Sequence, residues 1–479
     1  MCQGIADELL GIDLGDERLN KRSRKVIEAL AADPQASVNG ACQGWAETIG
    51  AYRLFDNPSV TPELVLQPHR RATQRRMREH PVVLVVQDTT ELDYTNHPPR
   101  DARCLNYEAR FGLYGHDNLA VTPGKLCLGV LSSEYHDRAA ETLGKANARR
   151  TLPIEQKESM RWLKGYRLAC QMADECPQTQ IVSVADREAD IYDIFVDAQA
   201  RVTGEALTVD ATESSTSAVA SRRADYIIRA QENRSTPERD LVKGPKVFCK
   251  VRDEVAQSRL LGTKTIELSQ TPQRAARQAK LEIRAITVTV KPPHARAYLP
   301  AITHNVVFVV EVDGPGDETD VSWLLMTTLP ISTLEEVWLV VDYYVARWVV
   351  EIFFRVLKSG CRVEDCQLET LPRLKNYLAF YKIIAWRILY LTYLNRVTPT
   401  LPCTAVFTED EWKPVYRVVT KQELPPQPPT LNEFMRLLTE LGGYNNRKTE
   451  APAGPQPLWI GLRRMLDFAT AWQTFGPKT

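Results

Sequence analysis

Two short apolar runs that each lead into an aspartate constrain the fold of this 479-residue chain more than any other feature. Residues 81–90 read PVVLVVQDTT, and residues 180–195 read QIVSVADREADIYDIF. Unbroken runs of branched apolar residues are typical of strands that are buried on both faces, as in parallel sheets. We therefore predict an α/β core in which Asp88 and Asp186 end their strands, where open sheets place their functional groups.

The remaining pattern predicts three consecutive domains. Apolar runs at 225–230 and 323–330 predict two more core strands, and residues 118–135 predict a hairpin around a Pro-Gly turn. The segment between those two strands is strand-rich with Pro and Gly at its turns, so we predict an inserted, mostly β subdomain there. The predicted domains are an N-terminal helical domain (1–78), an α/β core (79–372, with the insertion at about 231–321) and a C-terminal helical region (373–479).

The charges of the whole chain cancel, with 60 basic and 60 acidic residues, so only local clusters can indicate a polyanionic partner. Residues 221–300 hold 17 Lys or Arg against 8 Asp or Glu, and residues 17–25 and 69–78 each hold five basic residues. A basic helix face is often simply solvated, so these clusters permit nucleic-acid binding without establishing it.

Other classes of protein are disfavoured. The ten cysteines include no CxxC pair, which argues against a zinc site. No apolar run reaches the roughly 20 residues of a membrane helix, so no membrane partner is expected. We expect a cytoplasmic protein with reduced thiols.

A helix predicted at residues 342–358, DYYVARWVVEIFFRVLK, carries four polar side chains on one face. At about 100° per residue, Tyr344, Arg347, Glu351 and Lys358 fall within about 60° of one another, and the apolar residues face the core. One interpretation is a solvated face with a weak Arg347–Glu351 pair. The other is a functional stripe that joins Asp88 and Asp186 at the edge of the sheet.

Three converging carboxylates suit hard divalent cations, which take oxygen ligands. Two such ions about 4 Å apart can activate a nucleophile and stabilise the leaving oxygen of a phosphodiester. Each aspartate also has an ordinary alternative as a turn former or a helix N-cap. The combination points to phosphoryl transfer on nucleic acid.

The motifs resemble those of a known family. Tyr344-x2-Arg347-x3-Glu351-x6-Lys358 is similar to the YREK signature of the insertion-sequence-four family of DDE cut-and-paste transposases. The segments QDTT (87–90) and ADREAD (185–190) resemble the first and second acidic motifs of that family. The similarity extends from about residue 12 to about residue 467.

The resemblance implies an RNase H-like core in which Asp88, Asp186 and Glu351 are the catalytic residues and bind two Mg²⁺ ions, with Mn²⁺ able to substitute. Tyr344, Arg347 and Lys358 would grip phosphates of the transposon end, and Trp323 would hold a base flipped out during hairpin formation. A DNA contact is also expected from Arg229. In the N-terminal domain the candidate contacts to the terminal inverted repeat are Arg18, Lys21, Arg22 and Lys25.

The family also implies the partners and the reaction. The partners would be double-stranded DNA, as terminal repeats and as target, and a second copy of the chain in a synaptic complex. Nicking, hairpin formation, hairpin opening and joining to target DNA would follow one another in a bacterial protein that associates with the nucleoid.

Two alternatives stay open at this point. An RNase H-like nuclease without strand transfer would need the same carboxylates. A non-catalytic DNA-binding inhibitor or domesticated derivative would not need them.

Overall fold

The computed structural model describes residues 4–42, 44–106, 109–136, 153–203, 223–237, 249–268, 275–316, 320–447 and 453–476. Parts of the predicted β insertion, namely residues 238–248, 269–274 and 317–319, therefore lie outside the described residues. The described chain is a mixed α/β protein with a large mixed sheet, as the sequence predicts.

The strands of the described residues are β1 (Val82–Asp93), β2 (Arg103–Cys104), β3 (Phe111–Val121), β4 (Cys127–His136), β5 (Gln180–Ala185), β6 (Asp225–Arg229), β7 (Gly262–Leu268), β8 (Arg277–Val290), β9 (Ile302–Val312) and β10 (Ser322–Thr327).

The α-helices of the same residues are α1 (Glu17–Ala32), α2 (Val38–Ala41), α3 (Trp45–Phe55), α4 (Pro62–Met77), α5 (Met160–Glu175), α6 (Tyr192–Thr203), α7 (Val251–Ala256), α8 (Leu334–Ala346), α9 (Val349–Arg355), α10 (Leu371–Val397), α11 (Glu409–Thr420), α12 (Leu431–Leu441) and α13 (Pro455–Phe475).

The chain divides into two compact units. The first unit contains residues 1–79, 89–144 and 348–479, and the second contains residues 80–88 and 145–347. These two units do not correspond to the three consecutive domains predicted from the sequence. The three domains stay a prediction. Strand β1 contributes its first seven residues, 82–88, to the second unit and its remainder to the first.

The sheet of the second unit has the strand order β1-β5-β6-β10-β9-β8-β7. Its first three strands are parallel, and the others pair antiparallel. The predicted core strands at 82, 180, 225 and 323 are all present. Within the predicted insertion, β9 pairs directly with β10, so the insertion extends the core sheet instead of forming a separate layer.

Burial explains why the core strands read as unbroken apolar runs. Every residue of β5 from Ile181 to Ala185 is buried. Helix α5 packs against this strand and buries Trp162 and Tyr166. The Tyr166 hydroxyl donates a hydrogen bond to the carbonyl oxygen of Ala224 at 3.1 Å, so the phenol is satisfied inside the core.

The first unit is built around the β3–β4 hairpin and the long helix α10. The predicted hairpin is confirmed, with Val121 opposite Cys127 across the Pro-Gly turn. Helices α4 and α10 both pack against β4. The N-terminal helices join this core through Phe55, whose ring lies 5.8 Å from the rings of both Tyr377 and Phe380. No described helix is both long enough and apolar enough to cross a membrane.

The prediction of one continuous helix over residues 342–358 is wrong. Helix α8 ends at Ala346, α9 begins at Val349, and residues Val356–Gly360 form a π-helical turn. The division between the two units also falls in this interruption, between Arg347 and Trp348. The angular positions derived from 3.6 residues per turn therefore do not apply across it.

Candidate active site

Strand register places Asp88 and Asp186 side by side in the second unit. Strands β1 and β5 pair in parallel with a constant offset, from Val82 opposite Gln180 to Val86 opposite Val184. The same offset, carried two residues further, brings Asp88 level with Asp186. Neighbouring strands lie about 4.8 Å apart, so the two carboxylates occupy one edge of this part of the sheet.

Asp88 does not end its strand, in contrast to the prediction. Strand β1 continues to Asp93, and Asp88 lies where β1 parts from β5 and continues into the first unit. Asp186 directly follows β5, which ends at Ala185, and its Oδ1 accepts a hydrogen bond from the backbone N–H of Glu188 at 2.9 Å. The N-cap alternative for Asp186 is therefore present in the structure, and it engages one of the two carboxylate oxygens.

The Asp88 carboxylate forms an ion pair with Arg347. Arg347 Nη1 donates to Asp88 Oδ2 at 2.8 Å, with side chains that are 7% and 18% exposed, respectively. The Arg347 guanidinium carbon lies 5.9 Å from the centre of the Tyr344 ring. The interpretation of Tyr344 and Arg347 as a solvated face is wrong, because both side chains are buried.

Tyr344 connects the ion pair to the rest of the second unit. Burial raises the pKa of its phenol, although the positive charges of Arg347 and Arg229 oppose that rise. The Asp186 charge adds to that rise in the pKa of Tyr344. Tyr344 thus lies near the Asp88–Arg347 pair and within reach of the charges of Asp186 and Arg229.

Trp323 packs into the same cluster as a core residue. Its ring lies 5.3 Å from the Tyr344 ring at an interplanar angle of 62°, an edge-to-face contact, and the residue is only 5% exposed. Trp323 is the second residue of β10, which begins one residue before the predicted start at 323. In this conformation it fills space and presents little surface on which a base could stack.

Glu351 and Lys358 belong to the first unit. Glu351 is exposed on α9. Lys358 lies in the π-helical turn, and its Nζ is 3.6 Å from Glu364 Oε1. Glu364 also accepts the backbone N–H of Asp93 at 2.9 Å, so Lys358 approaches a carboxylate that anchors the end of β1.

The predicted N-terminal contacts lie along α1. Arg18 is 92% exposed and pairs with Asp16 at 2.9 Å, and Lys21 and Lys25 are also exposed. Arg22 lies against α3, because a Cβ at Gly50 would come 1.8 Å from Arg22 Nη1. Glycine at position 50 is therefore what allows α1 and its basic side chains to approach α3 closely.

No group of three His, Cys, Asp or Glu side chains that could hold a metal ion occurs among the residues that the structure describes. The chemistry of Asp88 and Asp186 nevertheless suits a hard divalent cation, because both supply carboxylate oxygens at adjacent strand positions. One Asp88 oxygen is engaged by Arg347 in this structure.

Sequence reasoning missed the role of Asp190, the last residue of ADREAD. Its Oδ2 accepts the backbone N–H groups of Gln231 and Glu232, each at 2.9 Å, and its Oδ1 accepts from Arg234 Nε at 3.1 Å. Asp190 thus orders the loop that follows β6. Nothing in the local sequence distinguishes this buried aspartate from the neighbouring Asp186.

Part of the basic segment 69–78 is internal to the first unit, whereas Arg71, Arg75 and Arg78 are exposed. It lies on α4, where Arg76 Nη1 pairs with the buried Glu8 carboxylate at 2.8 Å. His69 hydrogen-bonds to the same carboxylate through Nδ1 and accepts the Val130 N–H at Nε2 at 2.9 Å. At these two positions the segment is internal to the first unit.

Three protein-family models match the chain. Residues 1–60 match a transposase DNA-binding model, residues 204–387 match a transposase DDE domain, and residues 383–473 match the transposase Tn5 dimerisation domain. Asp88 and Asp186 lie outside these three ranges, whereas the other core candidates lie within the DDE match. The matches support DNA binding and dimer formation, and they confirm the resemblance found in the sequence. The chain belongs to the DDE transposases and resembles the transposase of Tn5.

Proposed function

We propose that this transposase excises its element by nicking, hairpin formation and hairpin opening, and then joins the 3′ ends to target DNA. The observation that carries the proposal is the cluster at one edge of the second unit's sheet. Asp88 and Asp186 lie level on parallel strands, and Arg347 and Arg229 lie close by. Carboxylates beside phosphate-binding cations are what metal-dependent phosphoryl transfer requires.

Asp88, Asp186 and Glu351 would hold the divalent cations, two Mg²⁺ or Mn²⁺ ions in an RNase H-like core. When bound, these ions supply activation of the attacking hydroxyl and stabilisation of the leaving oxygen. The side chains themselves orient the DNA. Arg347 offers a planar fork to a phosphate, and Lys358 offers a point charge.

The rest of the proposal assigns the flanking regions. The basic face of α1, with Arg18, Lys21 and Lys25, would bind the terminal inverted repeat, within the domain predicted at 1–78. The C-terminal helices, within the region predicted at 373–479, would pair two copies of the chain. Arg229 would contact DNA beside the cluster, and Trp323 would hold the flipped base.

A cleavage assay tests the proposal. The full chain is mixed with a labelled duplex that carries the DNA end flanking its gene, with and without Mg²⁺. Hairpin and strand-transfer products that require Mg²⁺ support the proposal. Nicks without hairpins would support a simple nuclease, and a shifted but uncut band would support a non-catalytic DNA-binding protein.

Variants locate the site. Asp88→Asn, Asp186→Asn and Glu351→Gln should each abolish nicking and joining while leaving DNA binding largely intact. The matched control is Asp342→Asn, an exposed carboxylate on α8 that pairs with Lys264 at 2.8 Å. Exposed pairs of this kind contribute little, so the control should cut DNA like the wild type. Full cleavage by Asp186→Asn would remove that residue from the site.

A further inference from the structure

Asp88 and Arg347 form an ion pair in this structure, although the proposed function gives each of them a different partner. Arg347 is to bind a DNA phosphate, and Asp88 is to bind a divalent cation. In the structure the guanidinium Nη1 instead lies 2.8 Å from Asp88 Oδ2, and both groups are largely shielded from water. Charge-assisted hydrogen bonds at such positions are among the stronger ones in proteins.

The two sets of partners exclude one another. An arginine on the Asp88 carboxylate uses lone pairs that a cation would need, and it places a positive charge beside the position of that cation. The repulsion between two positive charges is strong where water is excluded. Arg347 and a divalent cation therefore compete for the Asp88 carboxylate.

We propose that Arg347 transfers from Asp88 to a DNA phosphate when the transposon end binds, and that only this transfer opens Asp88 to the divalent cation. This inference rests on the proposed function, since it needs a cation at Asp88 and a phosphate at Arg347. It adds an order of binding, with DNA first and the cation second. A protein without DNA would then carry no loaded cleavage site.

Because Arg347 is buried, it should leave Asp88 only when a DNA phosphate takes the place of the carboxylate. A buried guanidinium without an anion is costly, so the pair with Asp88 is stable until another anion replaces it. Arginine suits the exchange because its planar fork fits both carboxylate and phosphate geometry. The Tyr344 ring lies 5.9 Å from the guanidinium carbon and offers a favourable aromatic face to the cation.

Thermodynamic linkage makes the proposal measurable without catalysis. If DNA raises the affinity for the cation by some factor, the cation raises the affinity for DNA by the same factor. Removing the Arg347 guanidinium must raise cation affinity in the free protein, because the competitor is gone. A residue that only stabilised the fold would lower that affinity or leave it unchanged.

The experiment measures Mn²⁺ binding to the full chain by electron paramagnetic resonance of the free ion. Wild type, Arg347→Ala and Asp88→Asn are compared with and without a duplex that already ends in the 3′-hydroxyl of the element, so that no cleavage occurs. We expect wild type to bind Mn²⁺ at least tenfold more tightly with DNA than without it. Arg347→Ala without DNA should approach the affinity of wild type with DNA.

Controls separate the possible failures. Arg167→Ala removes an arginine from another carboxylate of the same unit, where Nε lies 2.9 Å from Asp197 Oδ1, and it should bind Mn²⁺ like the wild type. Circular dichroism shows whether each variant is folded, and Arg347→Gln provides a less disruptive variant that also lacks the charge. Equal Mn²⁺ affinity of wild type, Arg347→Ala and Arg347→Gln without DNA would overturn the exchange.

The remaining outcome concerns the proposed function itself. If Asp88→Asn binds Mn²⁺ as tightly as wild type in the presence of DNA, then Asp88 is not a ligand, and both the metal site and the exchange are wrong. If Asp88→Asn loses DNA-dependent binding while Arg347→Ala shows no gain, only the exchange is wrong.

Discussion

Lys382 and Asp117 form an ion pair that is fully buried in the first unit, with Lys382 Nζ 2.6 Å from Asp117 Oδ1. The pair ties α10 to β3, and the ammonium also hydrogen-bonds to Ser133 and lies 4.4 Å from the centre of the Tyr135 ring. Burial alone would lower the pKa of Lys382, but the neighbouring Asp117 charge and Tyr135 outweigh it and raise the pKa. These neighbours therefore favour the charged form of the Lys382 ammonium.

Removal of one member of this pair should destabilise the protein strongly. We expect Lys382→Met to lower the free energy of unfolding by about 3 to 5 kcal/mol, because Asp117 would stay buried without a counter-charge. Asp117 Oδ2 already has no hydrogen-bond partner within the described residues, so nothing nearby compensates. Urea denaturation measures the change.

An exposed pair provides the control for Lys382. Lys413 pairs with Glu409 one helical turn away, and the Glu409 side chain is 70% exposed. Lys413→Met should therefore change stability by no more than about 0.5 kcal/mol. A Lys382→Met variant as stable as this control would show that the buried pair contributes nothing.

The stability of the second unit should depend on pH through His304. This histidine is buried on β9, and its Nδ1 forms a hydrogen bond of 2.7 Å with the Tyr226 hydroxyl. Burial, reinforced by the Arg234 charge, lowers its pKa from the usual 6.5 to about 3. Between these two values the unfolded chain binds a proton that the folded protein does not, so stability falls as the pH falls.

The slope of stability against pH isolates this histidine. We expect wild type to lose about 1.4 kcal/mol more per pH unit than His304→Phe as the pH decreases below 6. The substitution also removes the hydrogen-bond partner of the Tyr226 hydroxyl, which shifts the curve but not its slope. Parallel curves for the two proteins, from denaturant titrations at several pH values, would contradict the prediction.

Lys358 tests the contribution of a single phosphate contact. Lys358→Ala should weaken binding to a transposon end and reduce the slope of log affinity against log salt by about 0.9, because one fewer counterion is released. Binding is measured by fluorescence anisotropy at several salt concentrations, with Lys413→Ala as the control. An unchanged slope would show that Lys358 does not contact a phosphate. Its charge would then act only on Glu364, whose Oε1 lies 3.6 Å from Lys358 Nζ.

Trp323 offers a test of hairpin formation. We expect Trp323→Ala to nick at a rate near that of the wild type but to accumulate nicked product, since a base flipped during hairpin formation loses stacking worth roughly 1 to 3 kcal/mol. A substrate that lacks the flipped base should partly rescue the variant. Product analysis on denaturing gels distinguishes nicks from hairpins.

The packing of Trp323 against Tyr344 defines the opposing outcome. If Trp323→Ala loses nicking and hairpin formation together and its circular dichroism spectrum changes, the ring is a core residue only. Trp338→Ala is the control. Trp338 lies on α8 of the same unit, and its ring contacts Lys264. That variant should form hairpins normally.

The sequence alone determined the core strands. Runs such as VVLVV and IVSVA predict buried strands because local periodicity reflects burial directly. The hairpin at 118–135 followed from its Pro-Gly turn, since turn chemistry is also local. The register of β1 with β5, extended by two residues, brings Asp88 level with Asp186, although β1 continues past Asp88 to Asp93.

Only the tertiary structure decided which charged side chains are buried and with which partners. Arg347 reaches Asp88 across 259 residues and Lys382 reaches Asp117 across 265, and no local pattern encodes such pairs. Periodicity also predicts one helix with a continuous polar stripe over 342–358. In the structure α8 ends at Ala346 and α9 begins at Val349. Burial of a charge depends on the free energy of a whole neighbourhood, whereas periodicity reports only which residues share a face.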